Sequence, residues 1–94
     1  LSTLTRVAAT GDVATGARTL HSVILTPAAA AATLEVRVAG GTGNPLLSLS
    51  APANGASAIW HAASPRGQAP GVPFGAGIHA TLTGASASAT FEYD

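Results

Sequence analysis

Thr33-Leu34-Glu35-Val36-Arg37-Val38 is the stretch on which the fold turns. Leu34, Val36 and Val38 alternate with Thr33, Glu35 and Arg37. A period of two gathers three aliphatics on one side and sets an acid and a base on the other, which predicts a half-buried strand. Upstream, Arg18 to Thr26 holds Leu20, Val23, Ile24 and Leu25 with little alternation. Its β-branched content predicts a strand buried on both faces near the middle of a sheet. Downstream, Pro45 to Ser50 predicts a third strand, with Leu47 and Leu49 on one face and Leu46 on the other.

The same period recurs towards the C-terminus. Asn54-Gly55 is a turn signal, because both residues tolerate positive φ, and Ala58-Ile59-Trp60 follows as a short strand. Ile78, Ala80 and Leu82 alternate with His79, Thr81 and Thr83; Ala87, Ala89, Phe91 and Tyr93 alternate with Ser88, Thr90 and Glu92. Gly84-Ala85-Ser86 between these runs is short enough for a hairpin. Ser64 to Pro73 contains three prolines and two glycines, too many for a regular element. Ala28 to Ala32 favours helix by propensity, yet five residues behind a proline give one turn or an irregular loop and no helical domain. Short strands at regular spacing predict an all-β fold, a single antiparallel β-sandwich or jelly roll of about six to eight strands. Residues 1–94 form one domain in this reading, with 1–17 open to being an extended N-terminal arm.

Composition narrows the function. Alanine, glycine, serine and threonine make up more than half of the 94 residues, and charged residues are 9%, against roughly 25% in ordinary soluble domains. Four arginines balance four acids and lysine is absent, so there is no basic footprint for nucleic acid or for an acidic membrane surface. No apolar run approaches the ~20 residues needed to span a bilayer, and Leu1 to Arg6 lacks the charged start and apolar block of a signal peptide. With no cysteine there is no disulfide, thiolate nucleophile or thiolate metal site. Eight charges cannot cover a small sandwich, so Ala, Ser, Thr and Gly form much of its exterior. Such an exterior is weakly hydrated, costs little side-chain entropy to cover, and lacks the repulsion that keeps monomers apart. A subunit of an ordered assembly is expected. A GC-rich genome, whose codons favour Ala, Gly and Arg, gives a similar composition, and both causes can act together.

Candidate chemistry is sparse. His21, His61 and His79 are potential metal ligands, but their spacings match no ligand motif; no metal and no cofactor are expected. Glu35 and Glu92 could approach across strands, yet each lies on the outward side of its alternation, where neither gains the raised pKa of a general acid. No serine sits in G-x-S-x-G. Gly40-Gly41-Thr42-Gly43 lacks the following Gly-Lys-Ser/Thr of a phosphate loop and reads as a hairpin loop. Phe91 and Tyr93 belong to the expected core. Trp60 and His61, leading into a Pro/Gly-rich segment with Arg66, are the candidate partner contacts, since aromatic and Arg anchors dominate interfaces. Trp60 is equally placed to be the main packing residue of a small core. Enzymatic activity is not expected.

Leu20-His21-Ser22-Val23-Ile24-Leu25, a small-residue loop and the Leu34 to Val38 strand resemble small virion proteins of tailed bacteriophages. Val72-Pro73-Phe74-Gly75-Ala76-Gly77-Ile78-His79-Ala80-Thr81-Leu82-Thr83-Gly84 is similar to their GVPF-x-x-G-(I/L)-x-x-x-LTG stretch, and Ala89-Thr90-Phe91-Glu92-Tyr93 to their terminal strand. The resemblance runs from about Arg18 to the C-terminus, and this chain departs from the pattern in a longer Pro/Gly insert, Ser64 to Gly71. It implies a β-sandwich that assembles as an oligomer, often a trimer, on the outside of a virion built in the host cytoplasm. The implied partners are further copies of the chain and the major capsid protein or another virion protein. The implied role is head decoration (cement) or part of a head or tail fibre or spike, the latter offering a site for a host receptor or glycan. A gene transfer agent, built from phage-derived parts, would look the same. No catalytic residues carry over.

Overall fold

The computed structural model describes residues 3–38, 44–61 and 71–94. Among them the chain forms β1 (Thr3–Val7), β2 (Gly11–Thr15), β3 (Arg18–Thr26), β4 (Ala32–Val38), β5 (Leu47–Ala51), β6 (Ala58–His61), β7 (Val72–Phe74), β8 (Gly77–Thr83) and β9 (Ser88–Tyr93). The first sheet runs β1-β9-β3-β6, with β7 also paired to β3; the second runs β2-β8-β4-β5. Every pairing is antiparallel. The two sheets pack into the expected β-sandwich.

The decisive alternation holds. Leu34 and Val36 are fully buried while Thr33 is exposed and Glu35 and Arg37 are half-buried. Across the core, Val23, Leu25 and Phe91 from the first sheet meet Leu34, Val36 and Ile78 from the second, with Leu20 and Phe74 at one end. Alanine fills the remaining inward sites at Ala14, Ala32, Ala51, Ala80, Ala87 and Ala89. Tyr93 turns its ring inward and shares a 2.9 Å hydrogen bond with the Thr5 hydroxyl, so its one polar atom is satisfied.

Three expectations are corrected. First, β3 lies in the middle of its sheet but is not buried on both faces, since Ile24 is 36% exposed. Its register against β9 shifts between Leu20 and Ser22. That bulge at His21 moves the inward set from Leu20 to Val23 and Leu25, which is why the run shows no clean period. Secondly, residues 3–7 and 11–15 lie within the sheets, since β1 pairs with β9 and β2 with β8, and the described residues hold nine strands. Thirdly, Val72–Phe74, within the proline-rich segment, is a strand. Pro73 fits because β7 has β3 as its only neighbour among the described strands, and Thr19 opposite it exchanges both backbone hydrogen bonds with Asp94. The alanine run is irregular up to Ala31, and Ala32 opens β4.

Candidate functional site: two unlike sheet faces

A two-layer sandwich offers one outer face per sheet, and cross-strand register fixes what each presents. On the second sheet, Asp12, His79 and Arg37 stand in one row across β2, β8 and β4. Thr81, Glu35 and Ser48 form the next row, and Thr83, Thr33 and Ser50 the one beyond. These side chains bind one another. The His79 ring Nδ1 lies 2.8 Å from Asp12 Oδ1, and Arg37 donates to Thr81 Oγ1 at 3.0 Å and to Glu35 Oε1 at 2.9 Å. A shallow depression of about 380 Å³ opens on this face, lined by Thr33, Leu34, Glu35, Ser48, Leu49 and Ser50. This is a polar, self-paired surface.

The first sheet differs. Leu4, Glu92, Ser22 and His61 form one row across β1, β9, β3 and β6. Arg6, Thr90, Ile24 and Ile59 form the parallel row. Ser22 is nearly buried and donates to Glu92 Oε1 at 3.0 Å. Leu4, Ile24 and Ile59 are all exposed. At the end of this sheet the His21 ring Nε2–H bonds to Asp94 Oδ2 at 2.8 Å, and that bond holds the Asp94 carboxyl below the usual carboxylate range. Arg18 lies over the Tyr93 ring, 5.8 Å from its centroid.

The candidate contacts do not converge. Trp60 is half-buried and packs against the core, opposite Val23 on the inner face. His61, the next residue, is exposed on the outer face. Arg66 and residues 64–70 lie outside the described residues, as do residues 40–43. The three histidines also lie apart: His79 pairs with Asp12 on the second sheet, His21 with Asp94 at the first sheet's end, and His61 sits at the end of β6. Among the described residues no group of three or more His, Asp or Glu side chains is placed to hold a metal ion. Glu35 and Glu92 stand on opposite faces of the sandwich. The exposed aliphatics Leu4, Ile24 and Ile59 are the feature that the sequence left unmarked, because an isolated aliphatic in a strand reads as core until its register is known. No protein-family model, curated protein or solved structure matches the chain.

Proposed function

We propose that the chain is a non-enzymatic structural subunit of a phage-like particle, a head decoration (cement) protein that binds the capsid from outside and stabilises it. The observation that carries this reading is the charge-poor exterior. Of four acids in 94 residues, Asp12, Glu35 and Asp94 are already paired within the chain, and apart from Arg6, Glu92 and His61 the other residues of the outer rows are hydroxyl or aliphatic. Covering such faces desolvates few ions and freezes few long side chains. The similarity of Val72 to Gly84 to small virion proteins supports the same role. Each copy adds buried area between capsid subunits and so resists internal pressure. Individual contacts can be weak, because many linked copies raise the effective concentration.

The test mixes purified chain with capsid shells from the same source and sediments them. Saturable co-sedimentation at hundreds of copies per shell is expected. A stable monomer with no affinity for any particle component overturns the role. A fibre or tail-tip module binding a host glycan is favoured by one observation, the depression lined by Thr33, Glu35, Ser48 and Ser50, whose hydroxyls and carboxylate suit sugar hydroxyls. A few to a few dozen copies per particle, with glycan binding abolished by Glu35→Gln, would mark that role instead.

A further inference from the structure

Large aliphatic side chains collect in solvent on one face of the molecule. On the outer side of the first sheet Leu4 is 71% exposed, Ile59 58% and Ile24 36%. Ile24 and Ile59 stand directly opposite each other on β3 and β6, close enough to form one apolar ridge. The second sheet shows one exposed large apolar side chain among the described residues, Leu46 at the entry to β5, 57% exposed, and the cross-strand rows beside it hold charged and hydroxyl side chains with no further aliphatic. The asymmetry is therefore a property of one face and not of the composition. Aliphatics grouped on a flat, small-residue sheet mark a surface that is covered.

We propose that this face docks a second copy of the same chain, face to face about a two-fold axis. The proposal rests on the assembly role above and names the surface that role uses. Charge selects the occupant. Besides exposed His61 and the internally paired His21 and Asp94 at its end, the face carries Arg6 and Glu92, placed two residues apart along the β1–β9 ladder. The Arg6 guanidinium has no hydrogen-bond or ion-pair partner among the described residues. Glu92 receives the Ser22 hydroxyl on Oε1, which leaves Oε2 open. A two-fold axis sets Arg6 of each copy against Glu92 of the other, so both charges are answered twice and the apolar ridges meet. A uniformly acidic or basic partner would answer one charge and oppose the other. The small side chains Thr90, Thr26 and Ser88 on the same face let two sheets approach to about 10 Å.

The expected strength follows from area. Four strands about 4.8 Å apart and five residues at about 3.4 Å cover about 300 Å² in plan, small beside the ~800 Å² per partner of a standard interface. The pair is weak in isolation and strengthened where many copies are held together.

Sedimentation velocity over a concentration series up to about 1 mM tests it. The weight-average mass of the wild-type chain is expected to climb from 9.1 kDa towards twice that value. Ile59→Glu should weaken the association at least about tenfold, while Thr83→Glu on the other sheet leaves it unchanged; circular dichroism and thermal melts check that each variant folds. The charge arm is the specific one. Arg6→Glu and Glu92→Arg should each abolish self-association, and a 1:1 mixture of the two should restore it, because one face then carries two anions and the other two cations. A wild-type chain that stays monomeric throughout overturns the proposal, as does a mixture no better than either variant alone. If the chain is monomeric yet Ile59→Glu, unlike Thr83→Glu, removes it from the particle, the face docks another subunit: the two-fold pair is wrong and the assembly role stands. If the wild type joins neither itself nor a particle, both fall.

Discussion

Asp94 is tied to β3 three times: its backbone exchanges two hydrogen bonds with Thr19 and its carboxylate accepts one from His21. The folded carboxyl titrates lower than the unfolded one, so its contribution to stability is present above the unfolded value and is lost as pH falls through the folded value. A carboxyl-detected NMR titration should place Asp94 below the ordinary aspartate value, and His21→Ala should return it there; an ordinary value in the wild-type chain contradicts the contact. Gly84 is a second position where one residue decides local structure. Its φ is +128°, and a Cβ there would lie 2.8 Å from the Ala31 carbonyl oxygen and 3.0 Å from Ala32 Cα. Those neighbours are backbone and cannot turn aside. Gly84→Ala is expected to cost about 1–3 kcal/mol, read as a melting temperature lower by about 4–8 °C per kcal/mol; an unchanged melt would show that the β8–β9 turn is not strained.

Among the elements, β4, β5, β8 and β9 were legible because their aliphatics sit on the inward half of a strict alternation. β1 was not. Its inward residues are Thr3, Thr5 and Val7, opposite Tyr93, Phe91 and Ala89, while its one leucine, Leu4, faces out. An alternation that puts threonine inside and leucine outside gives no sequence signal of a buried face, and only the pairing with β9 reveals it. β3 was legible as a central strand, but its bulge at His21 hid which face was inward. For the candidate site, the adjacency of Trp60 and His61 suggested one contact surface. The period of two within Ala58–His61 sends them to opposite faces, a consequence already available from the strand assignment. The exposure of Ile24 and Ile59 was beyond sequence reasoning, because it depends on which strands become neighbours. Because β1 covers an edge of β9 and its Thr5 satisfies the Tyr93 hydroxyl, deleting residues 1–7 should lower stability by at least about 2 kcal/mol. An arm with no place in the sheet would be removed without cost, so an unchanged denaturant midpoint would contradict the β1–β9 pairing.

At the scale of the molecule, 94 residues without a disulfide enclose one small core, and about nine-tenths of the chain carries no charge. The two outer faces divide the remaining work. One pairs its ions internally and presents hydroxyls, with Leu46 at its edge; the other presents three bare aliphatics, a glutamate and an arginine that has no ion-pair partner among the described residues. A molecule built to be surrounded by water gains nothing from the second face, whereas a subunit held against its neighbours does. Density for the intact particle purified from the source of the chain tests this most directly. Many copies per particle should be visible, each with Leu4, Ile24 and Ile59 pressed against a neighbouring chain and the Asp12–His79 face turned to solvent. Particles that lack the chain, or copies whose aliphatic face stands in open water, would contradict it.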